Sequence, residues 1–341
     1  MKHKIMKPTT EQIELLKRTG SPDKNVSLRA MHSLAQALQI PLRSALLNGD
    51  IVGGIFTPEV LDPGATPEYP LDLYQTGQEG DYVAYMIPSE GSIPTRAVVG
   101  DSVTIGTYEV ANAIDWPLKY ALSARWDIIS RAMNVLEAGF VQKMNTDGWR
   151  LIISAAANRT DYEGGAPLVY DTAATAGQFT KRLISLMKTV MTRLAGGNSA
   201  TADKGVLTDL YFSPEALEDI REWDKDEVDD VTRREIFTSS GDDGPMAKIY
   251  GVNLHPLSEF GVGQELQNYF DTLGVDMGTN DEEIVIGLDL SRRDSFVMPI
   301  KQELTIYEDE SLHRRRRAGF YGWQEHGFGV LNGVRCLLGS F

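Results

Sequence analysis

Apolar side chains recur every three or four positions in one stretch of this chain more persistently than in any other. Trp126, Ile129, Met133, Leu136, Phe140 and Met144 keep that spacing, with Arg125, Asp127, Arg131, Glu137, Gln142 and Lys143 between them. They form one stripe of an amphipathic helix, and such a stripe packs a core and needs no ligand. The pattern runs on through Trp149, Leu151 and Ile152 and predicts a helix over 123–157, a rod of about 50 Å at ~1.5 Å per residue. Gly139 and Gly148 lower its helix propensity and mark bends or close packing. A second helical face carries Phe179, Leu183, Leu186, Met187, Val190 and Leu194 and stops at Gly196-Gly197. LTDLYFSPEALEDIREW then reads as a strand, a Ser213 N-cap, Pro214 at the first helical position and a short helix.

Other segments change the period. KIYGVNLHPL, EEIVIGLDL and RRDSFVMPIKQELTIYEDE read as strands, and the aromatic, glycine-rich end RRRRAGFYGWQEHGFGVLNGVRCLLGSF is strand-biased. Residues 81–87 and 90–110 also read as strand, turning at Gly100-Asp101, a ribbon over 76–110 with few large apolar side chains. A two-stranded ribbon alone is marginal in water, so this one needs something to pack against. Prolines 58, 63, 67 and 70 exclude a helix over 51–75 and predict an extended segment laid on a surface. Within 1–50 the helical patches are short and interrupted at Gly20-Ser21-Pro22 and at Pro41. They predict an arm that orders only against something else.

Composition narrows the class. With 341 residues and 42% hydrophobic side chains the chain fills a core, and no apolar run approaches a bilayer span. The N-terminus lacks the apolar core of a signal peptide. Cys336 is the only cysteine, which rules out an internal disulfide and a thiolate zinc site and predicts a small buried hydrophobe, in keeping with a reducing cytoplasm. The net charge of −15 is uneven: residues 1–50 carry +4 and the remainder −19. So acidic a body does not wrap nucleic acid tightly.

The search for chemistry finds no phosphate-binding loop, dinucleotide fingerprint, nucleophile elbow, zinc-protease helix or calcium loop. His3, His32, His255, His313 and His326 are scattered, and surface or turn placement is expected, His255 included. The acidic run Glu222, Asp224, Asp226, Glu227, Asp229 and Asp230 is a solvated loop on one reading and a divalent-cation site of an α+β enzyme on the other. No catalytic residue, cofactor or metal is assigned. Arg314, Arg315, Arg316 and Arg317 are the sharpest charge feature. They reach either phosphate or acidic partners: Glu308, Asp309 and Glu310 upstream, or a neighbouring subunit. Alternate arginines of a strand point to opposite faces, which favours subunit pairing over one phosphate track. Tyr321 and Trp323 beside them are expected as core or interface anchors.

The order of elements, with YFSPEALEDIREW, KIYGVNLHPL, EEIVIGLDLSRRDSFVMPIKQELTIYEDE and HGFGVLNGVRCLLG in sequence, resembles the major capsid proteins of tailed bacteriophages. The resemblance implies an α+β, Hong Kong 97-type capsid fold: an N-terminal arm at 1–60, a peripheral domain at 61–164 and 293–341, and an inserted axial domain at 165–292. The peripheral domain would hold an extended E-loop hairpin at 74–112 and a spine helix at 123–157. The core of that helix would be Trp126, Ile129, Met133, Leu136 and Phe140. Val83, Tyr85, Arg96, Val98, Val99, Val103 and Ile105 of the E-loop would be covered by an adjacent subunit, and Arg314 to Arg317 would form a charged assembly interface. The implied function is self-assembly, as pentamers and hexamers, into an icosahedral shell around double-stranded DNA. Implied partners are a separate scaffold, a portal, cement proteins and weakly touching DNA, with no membrane. Assembly would take place in the host bacterial cytoplasm and the product would be the virion capsid. The shell of the family's type member is covalently cross-linked through an E-loop lysine, but no lysine occurs between Lys24 and Lys119, so non-covalent contacts or separate cement proteins are expected to hold this one. The basic arm pairs with neighbours or touches DNA. An encapsulin-like compartment holding cargo enzymes shares the fold and is the alternative.

Overall fold

The long stripe becomes the longest helix of the chain. The computed structural model describes residues 10–19, 21, 23–47, 54–71, 101–123, 126–158, 168–194, 205–223, 246–275, 283–291 and 294–341. In it α4 spans Trp126–Ala157, directly after the short α3 at Leu118–Leu122. Met133, Leu136, Phe140 and Met144 are buried, as the spacing requires, whereas the side chains of Trp126 and Ile129 lie outside the described set. Contacts divide the chain into two units: 1–67, 105–148 and 296–329 in the first, and 68–104, 149–295 and 330–341 in the second. The helix contributes residues to both.

In the first unit a sheet runs in the order β1 (Thr57–Val60), β10 (Phe296–Glu308), β11 (Arg317–His326), β4 (Tyr108–Pro117). β1 lies parallel to β10 and the other pairs are antiparallel. The buried stripe of α4 lies on one face. A Cβ at Gly322 would stand 3.7 Å from Phe140, in ordinary contact, and one at Gly139 would meet the Asn112 amide at 2.7 Å, so helix and strand lie close together at these positions. Phe56 packs edge-on against Phe296 and Phe328, and Trp116 against Phe320.

The N-terminal region departs from the expected arm. α1 (Thr10–Thr19) and α2 (Lys24–Leu47) form a helical pair, with Leu16, Ala30, Met31, Leu34 and Ala35 buried. Thr19 stitches the turn: its hydroxyl donates to the Leu16 carbonyl and its carbonyl accepts from the Ser27 hydroxyl. Gln39 donates to the Leu304 carbonyl of β10. Each apolar patch is too short to hold a helix alone. The two faces bury each other, and α2 also packs on β10, so both helices find their partners within their own chain. α2 runs on past Pro41; a proline removes one helical hydrogen bond, and burial at ~1.5–3 kcal/mol per large apolar side chain outweighs it.

The second unit is built on a six-stranded sheet. Its order is β5 (Leu168–Tyr170), β13 (Cys336–Ser340), β9 (Ile284–Leu288), β6 (Asp209–Phe212), β8 (Val252–Pro256), β7 (Met246–Ile249). The face of α5 (Lys181–Leu194) brings Leu183, Ile184, Met187 and Met191 into the core. α6 (Pro214–Glu222) begins as the sequence reads, with the Ser213 hydroxyl accepting from the Ala216 amide at 3.2 Å and proline at the first position. α7 (Glu265–Thr272) completes the unit. Trp149, at the end of α4, sits edge-on to Tyr211 and Phe260.

The chain end differs from expectation. Residues 293–341 were expected to rejoin the peripheral part together, but 296–329 belong to the first unit and 330–341 to the second. β13 is slotted between β5 and β9 and is buried at every position. A strand with no polar face needs a central slot, and the six-stranded sheet supplies it. Cys336 is buried there, with its thiol on the Gly333 carbonyl.

Candidate assembly surfaces

The foot of the ribbon is a short antiparallel pair, β2 (Glu68–Leu71) with β3 (Asp101–Thr104), in the register Glu68↔Thr104 to Leu71↔Asp101. The Ser102 hydroxyl donates to Glu68 across it at 2.6 Å. Residues 72–100, and with them Val83, Tyr85, Arg96, Val98 and Val99, lie outside the described residues. Of the two remaining ribbon positions, Val103 is 37% exposed. Ile105 differs from expectation: it is buried by its own chain, beneath Gly327 and Gly329, where added Cβ atoms would strike it.

The four arginines are not in a strand. Residues Glu310–Arg315 form a 3-10 turn, Arg316 takes φ +54°, and Arg317 opens β11. The alternation argued from strand geometry therefore does not apply, because a tight turn points successive side chains outward instead. All four are exposed. Arg317 pairs with Asp115 of β4. Asp309 is used by the turn itself, accepting from the Ser311 amide and hydroxyl at 2.9 and 2.6 Å. Leu312 pins the corner above Gly319, where a Cβ would stand 2.8 Å from it and 2.5 Å from the Ile114 carbonyl. Arg314, Arg315 and Arg316 are thus held out on a fixed corner.

Strand registry puts Tyr307 opposite Tyr321 and Trp323 opposite Thr305 and Ala111. The rings stack, at 5.5 Å between Tyr307 and Tyr321 and 6.5 Å between Tyr307 and Trp323. Both tyrosines are 39% exposed. They lie on the sheet face opposite the one that receives Phe140, since their neighbours Ala318, Phe320, Gly322 and Gln324 are the buried ones.

The sequence matches no family model and no curated protein. Its fold does match solved structures. A chain of the Cyanophage Pam1 capsid asymmetric unit superposes with a TM-score of 0.53 at 13% identity over 84% of this chain and 88% of that one. The capsid of the native GTA particle gives 0.52 at 14% identity over 87% and 90%. A Gordonia phage Cozz chain gives 0.50 at 15% identity over 86% of each. The chain has a phage capsid fold.

Several further polar groups of this capsid fold are engaged internally. His255 lies in β8, not in a surface turn: it bonds Asp209 at 2.8 Å and stacks on Tyr211 at 4.7 Å. Burial pushes the Asp209 carboxyl up, but hydrogen bonds from His255, Thr208 and Asn253 outweigh it and hold it below its ordinary value. Arg335 and Asp289 form an ion pair buried on both sides. Glu283, bonded by the Ser213 hydroxyl, has its pKa raised by burial. His326 is fully buried, with Nδ1 near the Gln324 amide at 3.2 Å and Nε2 unbonded. Burial lowers its pKa to about 4. Tyr108, 5.0 Å away, donates to Asp147, which also takes Lys143; burial, then Asp147, push the phenol up. Sequence reasoning singled out Tyr321 and Trp323 but missed Tyr307, which stacks with both, and missed the buried pairs, because only the tertiary fold brings their members together. Among the described residues no group of His, Cys, Asp and Glu is arranged to hold a metal, and no helix is long and apolar enough to cross a membrane. Glu222 is exposed, and residues 224–230 lie outside the described set.

Proposed function

We propose that this chain is the major capsid protein of a tailed phage, a structural subunit without catalytic activity that builds an icosahedral shell around double-stranded DNA. One observation carries the reading: the capsid fold extends over more than four-fifths of the chain, not over one module of it. The charge fits, since a chain of net −15 lines a container without gripping packaged DNA. The ribbon between β2 and β3 and the corner at Arg314 to Arg317 then meet neighbouring subunits. A separate scaffold, a portal and cement proteins complete the particle, which assembles in the bacterial cytoplasm. No lysine is present in the ribbon, so non-covalent contacts hold the shell.

The test is electron microscopy of the expressed protein, with and without co-expressed scaffold. Closed particles of uniform size are expected. A species that stays monomeric at every concentration and in both settings overturns the reading. Particles from infected cells that hold a cargo enzyme in place of DNA move it to the encapsulin-like alternative.

A further inference from the structure

The chain enters β4 from β3 through a short root, residues 105–108, seated against the C-terminal end of β11. The Ile105 amide donates to the Pro67 carbonyl at 2.9 Å, and its side chain is buried beneath Gly327 and Gly329. The Thr107 hydroxyl donates to Glu325 at 2.6 Å. Tyr108 stands opposite His326 in the strand register, its ring 5.0 Å from the imidazole. The phenol donates to one oxygen of Asp147 on α4 at 2.7 Å, and Lys143 donates to the other at 2.7 Å. Tyr108 is 37% exposed and His326 is fully buried, so the tyrosine lies on the solvent side of the imidazole.

This setting has no place for a second proton on His326. The Gln324 amide nitrogen, 3.2 Å from Nδ1, can only donate. Nδ1 therefore accepts, and the neutral ring carries its proton on Nε2, which has no partner. A doubly protonated ring turns Nδ1–H against the Gln324 N–H and leaves a charged Nε2–H without an acceptor, a costly state for a buried group. The charged groups around it act in both directions. Asp147 favours the charged ring, and Lys143, one helical turn before it, opposes it. Glu325 and Glu109 follow His326 and Tyr108 in the alternation of their strands and lie on the other face. Glu325 is in addition held by Thr107 and by Lys301 of β10. Asp147 is thus the carboxylate that answers to the ring, and Tyr108 is using it.

We propose that Tyr108, His326 and Asp147 form an acid-operated latch on the root that joins β3 to β4. When the imidazole takes a second proton from solvent, the Asp147 carboxylate turns from the phenol toward Nε2–H. Tyr108 loses its acceptor and leaves the face of the ring, and residues 105–108 loosen from the end of β11. When the proton departs, Asp147 returns to the phenol and the latch closes. The device is bistable because one carboxylate serves two donors and cannot satisfy both. It lies within the first unit and needs no second copy of the chain, so it stands or falls apart from the shell-subunit reading.

The experiment is hydrogen exchange on the full chain as unassembled subunits at pH 7 and pH 3.5, each rate divided by the intrinsic rate at that pH. Two amides report on the root: Ile105, and Gly327, which donates to the Pro299 carbonyl at 2.9 Å. Their protection is expected to fall at least tenfold at pH 3.5, while the amides of β6 and β9 keep theirs. The NMR shift of the His326 ring is expected to titrate with the same midpoint as that loss. In Asp147→Asn the midpoint is expected to move to lower pH, because the amide still accepts from the phenol but offers the imidazolium no charge; a carboxylate that merely props up the structure would leave the midpoint in place. The wild-type readings decide the matter even where the variant does not fold. Full protection at Ile105 and Gly327 while the ring takes its proton, or an unmoved midpoint in Asp147→Asn, overturns the latch. Protection lost from both units together shows acid unfolding of the whole chain and overturns it also.

Discussion

At the scale of single residues, His326 couples folding to pH. Its imidazole is buried among Tyr108 of β4, Gln324 of its own strand and Phe328, with Asp147 and Lys143 of α4 close by. Asp147 favours the charged form, but burial and Lys143 oppose it and burial is the largest effect. A folded-state pKa of about 4 against 6.5 when free means that the unfolded chain binds the proton first as pH falls. The stability tied to His326 is thus whole above pH 6.5 and disappears as pH drops toward 4, a loss of about 3 kcal/mol. Urea midpoints of wild type and His326→Phe at pH 7 and pH 4.5 will show the wild type losing more than the variant. An equal loss in both shows that His326 is not the group responsible. Arg335→Met, which strands Asp289 without its buried cation, is expected to cost about 3–5 kcal/mol by the same measurement. Neither site could be read in the sequence. An Asp or a His carries no local sign of burial; β13 and β11 put them inside. Cys336 was readable because two leucines follow it directly.

At the scale of elements, legibility follows the range of the interaction. α4 and the Ser213-capped α6 were readable nearly to the residue, because helical period and capping are local. The pairing of α1 with α2 was not, since neither apolar face is convincing until the other covers it. The arginine turn escaped for a related reason: four arginines in a row carry no period, and Leu312 over Gly319 makes the corner. The ribbon has a direct test. Replacing residues 74–98 by a short Gly-Ser linker keeps β2 and β3 paired, so a folded subunit with an unchanged melting curve is expected, together with loss of closed particles. Normal particles from that variant remove the ribbon from the assembly. Arg314→Glu with Arg316→Glu is expected to cut particle yield at least tenfold and to shift the melting temperature by less than ~2 °C, because exposed charges contribute little to folding; full yield refutes a pairing role.

At the scale of the whole molecule, two sheets with separate cores are assembled from segments that alternate along the chain. Each unit depends on a strand that arrives late, β10 and β11 in one and β13 in the other. Composition and the order of periodic segments determined that the chain is α+β, has a long central helix, carries no cysteine-based staple and is acidic apart from its first fifty residues. These properties are sums or local repeats, and they survive without knowledge of which segments meet. Only tertiary structure decided that the first helices fold onto β10, that the last strand enters the second sheet, that the arginines form a corner, and that Tyr307 meets Tyr321 across two strands. Such partners are chosen by burial and register between distant segments, and a strand buried on both faces carries no alternation in its own sequence to say where it belongs.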